Sequence, residues 1–160
     1  MIILAIDPGT THSGWCLWDG KTILAKGKDI NEEVIRVMNT HRYDRLVLEM
    51  VASYGMAVGQ TVFDTCVWIG RFYQHDILNY GAPELIFRKD VKIYMCAQTK
   101  AKDSNIMQAI KDRYGEKGTK SKGFNPVYND EVVKMKADIW QAFALALYAH
   151  SKYTMVNENS

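Results

Sequence analysis

The sequence predicts an α/β domain: a mixed sheet of five strands flanked by helices. Three observations predict it. Residues 2–7 and 45–49 are short apolar runs, as expected of strands buried on both faces. Residues 13–18 and 22–27 are strand-like runs around Asp19-Gly20, which marks an antiparallel hairpin. Between and after these runs, apolar residues recur at three- and four-residue spacing, the helical period.

Each element follows from its own residues. The run 2–7 is a central strand that ends in Asp7, before the turn Pro8-Gly9. Asn31 is an N-cap residue type, and Val34, Ile35 and Met38 give a helix over 31–41. The strand from Arg45 ends in Glu49, and a glycine-flanked turn follows at 55–59. Val62, Cys66, Ile69, Phe72, Tyr73 and Leu78 predict a long helix over 60–79, stopped by Gly81-Ala82-Pro83. Glu84 to Phe87 is a short strand, and Lys89 to Cys96 a short helix or turn. Ser104 caps a helix to Tyr114, with Ile106, Met107 and Ile110 turned inward. Glycines among lysines make 115–126 a mobile basic loop. Asn129 or Asp130 caps a last helix running to about His150. This gives one domain over 1–150 and a frayed tail over 151–160.

The totals exclude several classes. The chain has 160 residues, 48% of them apolar, enough for a real core. No segment approaches the ~20 apolar residues of a membrane span. The N-terminus reads as a strand and not as a secretory signal. A cytoplasmic protein with no membrane partner is the expectation, in the host cytoplasm if a phage encodes it. Cys16, Cys66 and Cys96 are odd in number and share no metal-ligand spacing, so they read as free thiols. Net charge is only +2, yet residues 98–123 hold seven bases against three acids. A basic segment on a near-neutral body suits a polyanionic partner.

The candidate chemistry lies in the acids. Asp7 and Glu49 both end apolar strands. Parallel neighbours would aim both into the crevice at the carboxyl edge of the sheet, where open α/β sheets place their sites. Asp138 sits among small apolar residues of the last helix and should face the sheet. Three converging carboxylates repel one another, and a divalent cation relieves that repulsion. Mg²⁺ suits a set of carboxylates, waters and substrate phosphate.

Asp7-Pro8-Gly9 with Gly14, Glu49 on a later strand, and Ala137-Asp138 leading into Ala142-Phe143-Ala144-Leu145-Ala146 resemble the RuvC-type Holliday-junction resolvases. These belong to the ribonuclease H-like nucleases. Tyr54-Gly55-Met56, Gly59, Asp64-Thr65-Cys66 and Trp68-Ile69-Gly70-Arg71-Phe72 are most similar to the phage-borne members. The resemblance covers residues 2–149. It implies a ribonuclease H-like sheet and a homodimer that nicks four-way DNA junctions symmetrically, leaving 5′-phosphates. It also implies two Mg²⁺ ions per site, with Mn²⁺ able to substitute and no small-molecule cofactor. Asp7 would bridge the ions, and Glu49 and Asp138 would hold one each.

One position departs from the family pattern. An acid or histidine commonly follows the first acid of the last helix by one turn, and Gln141 stands there. Asp130 and Glu131 are the candidates for a replacement ligand, and Asp64 is a further acid at hand. Lys100 and Lys102 are candidates to stabilise charge on the scissile phosphate. With Lys117, Lys120 and Lys122 they are also the expected phosphate contacts. By the same resemblance Tyr54 or Met56, just past the Glu49 strand, would wedge into an opened junction; a turn whose Tyr54 packs on the body of the protein is the plainer alternative. The long helix is apolar around much of its circumference, through Val62, Phe63, Val67 and Trp68, which suits a two-fold dimer. His12 and His150 read as structural, and the four tryptophans as core.

Two other functions share these residues. Asp7-Pro8-Gly9-Thr10-Thr11-x-x-Gly14 is also similar to the first phosphate loop of actin-like and sugar-kinase phosphotransferases. Those proteins need a second domain and a second phosphate loop, for which 160 residues leave no room. A junction-binding protein without cleavage is the other alternative, supported by Gln141 alone.

Overall fold

A computed structural model describes residues 1–131 and 133–158. The strands are β1 (Ile3–Asp7), β2 (His12–Trp18), β3 (Ile23–Ile30), β4 (Arg45–Met50) and β5 (Glu84–Phe87), in the spatial order β3-β2-β1-β4-β5. β1, β4 and β5 run parallel, and β2 is antiparallel to both β1 and β3. The helices are α1 (Asn31–Thr40), α2 (Gln60–Asn79), α3 (Arg88–Cys96), α4 (Asp103–Tyr114) and α5 (Ala137–Glu158). None of the described helices is long and apolar enough to cross a membrane.

Alternation along the strands sorts the core into two layers. Ile3, Ala5, Cys16, Trp18, Val47 and Ile86 face α3, α4 and α5. Leu4, Ile6, Trp15, Leu17, Leu46 and Leu48 face α1 and α2. The same alternation carries Asp7, two residues past Ala5, and Glu49, two past Val47, to the α5 face. Arg88, two past Ile86, follows the same parity.

Several elements differ from the sequence expectation. β3 runs on to Ile30, and four residues, not two, join it to β2. Asp19 accepts the amides of Lys21 and Thr22 there, and Gly20 takes a φ of +96°. Asn31 is not a cap. It is fully buried, accepts the Ser13 hydroxyl at 2.6 Å and donates to the Gly9 carbonyl at 3.0 Å. Its side chain thus fixes the turn after Asp7. Ser104 is not a cap either: α4 starts at Asp103, and the Asn105 carboxamide accepts the Lys102 amide. The basic loop contains a short antiparallel pair, β6 (Gly118–Thr119) and β7 (Gly123–Phe124). α5 begins at Ala137, well after Asn129 and Asp130. It also continues past His150 through Glu158, so 151–158 are helical; Lys152 and Tyr153 hold Glu84 of β5. Residues 159–160 of the expected tail lie outside the described residues.

Packing on α2 is also uneven. Thr65, Ile69, Phe72 and Asp76 are its buried residues, and Leu78 is exposed. Trp68 is half-buried with the Arg71 guanidinium over its ring, whereas Trp15, Trp18 and Trp140 are core. The three cysteines are free thiols.

Candidate active site

Each site residue is aimed by its own element. Asp7 ends β1 at the centre of the sheet, in register with Gly14 of β2. A Cβ on Gly14 would lie 2.5 Å from the Asp138 carbonyl oxygen and 2.7 Å from its Cβ. Glycine therefore lets the start of α5 rest against the sheet beside Asp7. Asp138 is in the first turn of α5, where the helix dipole favours a negative charge. Glu49 comes from the neighbouring parallel strand β4. Asp103 begins α4.

Asp7 feels the charge of the other three acids. Burial pushes the Asp7 carboxyl well above the usual carboxylate range, and the Glu49, Asp138 and Asp103 charges push it further against the pull of Arg88. Among the described residues no hydrogen bond or ion pair reaches the Asp7 carboxylate. Burial also raises Glu49, and the Arg88 guanidinium opposes that rise; Asp103 adds to it and Lys92 draws it back. The Arg88 Nη1 donates to both Glu49 oxygens at 3.2 Å. Its Nη2 donates to Asp103 Oδ1 and, at 3.1 Å, to Gln141 Oε1. On the other flank Lys28 pairs with Asp138.

The arrangement opens to solvent on two sides. A cavity of about 450 Å³ is lined by Asp7 through His12, Lys28, Asp138 and the Thr61 and Thr65 hydroxyl residues. A second, of about 320 Å³, is lined by Tyr54, Arg88, Lys89, Lys92 and Thr99. One is acidic and hydroxyl-rich, the other basic with an exposed aromatic ring. Arg88 lines the basic cavity and joins it to the acids through Glu49.

The structure thus brings Asp7, Glu49 and Asp138 together. It does not bring Asp130 or Glu131 to them. Glu131 precedes α5, so the helical spacing that would put it on the Asp138 face does not apply. Both line a separate cavity with Lys117, Lys120, Phe124 and Lys134. Asp130 is buried there, and its charged neighbours are Lys26 and Lys117. Lys100 and Lys102 are exposed on the α3–α4 connection, with Lys117, Lys120 and Lys122 exposed on and beside the β6–β7 pair. Tyr54 and Met56 are exposed past β4, and Tyr54 holds a left-handed φ of +49°.

Arg88, Asp103, Lys92 and Lys28 escape a reading of the sequence alone. For Arg88 a signal exists: it follows the third parallel strand at the same edge and parity as Asp7 and Glu49. Lys28 and Asp103 depend on long-range approach and carry none.

As they stand, the acids fit divalent ions only in part. Asp7 is an uncompensated, half-buried carboxylate, the kind of donor a hard cation takes. Glu49 and Asp138, however, are engaged by Arg88 and Lys28. No group of three or more His, Cys, Asp or Glu among the described residues is arranged to hold an ion.

No protein-family model and no curated protein matches the chain. Solved structures do. T. thermophilus RuvC in complex with Holliday junction substrate superposes with a TM-score of 0.71 at 16% identity, over 98% of this chain and 96% of that one. A second Thermus thermophilus RuvC structure gives 0.70 at 17%, over 98% and 97%. The chain therefore has a RuvC-type fold of the ribonuclease H-like class. The likeness spans nearly the whole of both chains.

Proposed function

We propose that this protein is a metal-dependent endonuclease that resolves four-way DNA junctions and also acts on forked DNA, leaving 5′-phosphate nicks. The observation that carries the proposal is the convergence of Asp7, Glu49 and Asp138 at the carboxyl edge of a RuvC-type sheet. One of the solved structures with this fold is, by its description, bound to a Holliday junction.

Asp7 and Asp138 are the residues that would hold Mg²⁺ or Mn²⁺, with Glu49 beside them engaged by Arg88. A divalent ion bound there would supply a water of lowered pKa and positive charge near the scissile phosphate. The chain's own residues do the rest. The Asn31 amide and Ser13 hydroxyl hold the Pro8-Gly9 turn, so Asp7 is presented at a fixed angle. Thr61 and Thr65 line the same cavity as Asp138 with hydroxyl groups able to order water. Arg88, Lys89 and Lys92 present cations to a backbone phosphate at the rim. Tyr54 stands at that rim with its ring free to stack on an unpaired base. Lys100, Lys102, Lys117, Lys120 and Lys122 extend the basic surface, which positions DNA without reading its sequence.

A symmetric pair of cuts needs two sites. Phe63, Val67 and Leu78 leave α2 with exposed apolar surface of 55, 61 and 74% at these residues. This face is the dimer surface in our reading, and sedimentation at micromolar concentration tests it: a stable monomer contradicts it.

Cleavage of a labelled mobile four-way junction, beside a fork and a linear duplex, tests the proposal with Mg²⁺ and with EDTA. Paired symmetric nicks on branched DNA in Mg²⁺ alone support it. Retention of the junction uncut in both Mg²⁺ and Mn²⁺ overturns it in favour of a binding protein.

A further inference from the structure

We infer that the Arg88 guanidinium, held by Glu49, Asp103 and Gln141, permanently occupies the cation position beside Glu49, so that each active site takes up one divalent ion and not two. This rests on the nuclease reading above and departs from the two-ion site that the family resemblance implies.

The two flanks of Asp7 differ. On the Asp138 flank the counter-ion is Lys28, and both side chains of the pair are about two-fifths exposed, 42% and 38%. Such surface pairs are weak and screened, so Lys28 yields to a divalent ion without consequence for the fold. On the Glu49 flank the side chains are 27% and 13% exposed. Arg88 makes four hydrogen bonds there, to both Glu49 oxygens, to Asp103 and to Gln141. Three of those bonds go to carboxylates: the two to Glu49 share Nη1 at 3.2 Å in a shielded setting, and the one to Asp103, itself 63% exposed, is screened by solvent. Both oxygens of Glu49 are already engaged by a charge that cannot be deprotonated.

Gln141 fits this arrangement better than an acid does. It is buried, and its carboxamide oxygen accepts from Arg88 without adding charge. A fifth carboxylate would add repulsion around Asp7, which already sits among Glu49, Asp138 and Asp103. The position that lacks a metal ligand therefore supplies a strut for Arg88. Arg88 also lines the basic cavity, so from the same place it reaches a phosphate.

Counting Mn²⁺ by the loss of its free-ion electron paramagnetic resonance signal tests this on the protein alone. Wild type should saturate at one ion per chain. The double variant Arg88→Gln with Gln141→Asp should saturate at two. Junction cleavage should change from first to second power in Mg²⁺ concentration between the two proteins. Two ions on the wild type overturn the inference, as does a folded double variant that still takes one. Should the double variant show no cooperative melting, Gln141→Asp alone decides. Arg88 still fills the position, so one ion is expected, and a second ion overturns the inference. Two ions with active cleavage defeat this inference alone, whereas no ion and no cleavage defeat the nuclease reading with it.

Discussion

Two regions of this molecule bury an acid beside a cation, and they do so in opposite ways. At the carboxyl edge of the sheet, Glu49 meets Arg88 within a group that spans β1, β4, α3, α4 and α5, and two cavities open onto it. Below the β6–β7 pair, Asp130 meets Lys26, whose ammonium is spent on the carbonyls of Tyr128 and Asn129. Neither Asp130 oxygen has a hydrogen-bond partner among the described residues, and neither is exposed. The first arrangement gathers excess negative charge where a ligand can reach it. The second holds a loop to strand β3 and keeps both Asp130 oxygens covered, although the residue borders the cavity of Lys117, Lys120 and Lys134. Acidity and burial alone do not mark a site; accessible, mutually repelling acids do.

Asp138→Asn should have a large effect on the first region, second to loss of Asp7. Junction cleavage should fall on the order of 10³-fold, a loss of about 4 kcal/mol in transition-state stabilisation, with junction affinity retained. Cleavage within tenfold of wild type would remove Asp138 from the site.

Lys26→Met should have the largest effect on the second region. Asp130 and two carbonyls are left without their cation, which should destabilise the fold by about 3 kcal/mol in urea melts. Cleavage per folded molecule should persist. Unchanged stability would mean that Lys26 holds nothing.

The pH dependence of metal-free stability sharpens the contrast. Burial raises the folded-state pKa of both Asp7 and Glu49, so the native state holds protons that the unfolded chain has released. Stability should therefore fall as pH rises from the ordinary carboxylate range through the raised values. Asp76 and Asp130 act in the same direction. Melting temperatures in EDTA between about pH 4.5 and 8 measure this, and Asp7→Asn should flatten the profile. A profile that rises with pH would contradict the crowded-acid account.

The smallest effects belong to the exposed lysines. Replacing Lys117, Lys120 and Lys122 by alanine should lower the salt dependence of junction binding by about one released ion for each phosphate left unneutralised. Cleavage at saturating DNA should not change.

Much of this is legible in the residues. Apolar runs mark β1 and β4, the Asp19-Gly20 turn marks the β2–β3 hairpin, and helical spacing marks the long helix. Asp7, Glu49 and Asp138 stand out because an acid at the end of an apolar strand, or inside an alanine-rich helix, is locally anomalous. Arg88 does not stand out although it directly follows the third parallel strand, since a base opening a helix with Lys89 and Lys92 looks like solvated surface. Asn31 misleads because the residue type that caps helices also serves as a buried strut, and only burial tells them apart. Asp130 and Glu131 mislead because helical spacing does not extend into a segment that is not helical. Asp103 and Lys28 reach the site through tertiary approach, which no local pattern encodes.

The most direct measurement compares Asp7→Asn with Asp130→Asn on one labelled four-way junction in Mg²⁺. Asp7→Asn should bind the junction and fail to cut it, while Asp130→Asn should cut at close to the wild-type rate once folded. Loss of cleavage in folded Asp130→Asn with full activity in Asp7→Asn would place the chemistry under the hairpin and contradict the account.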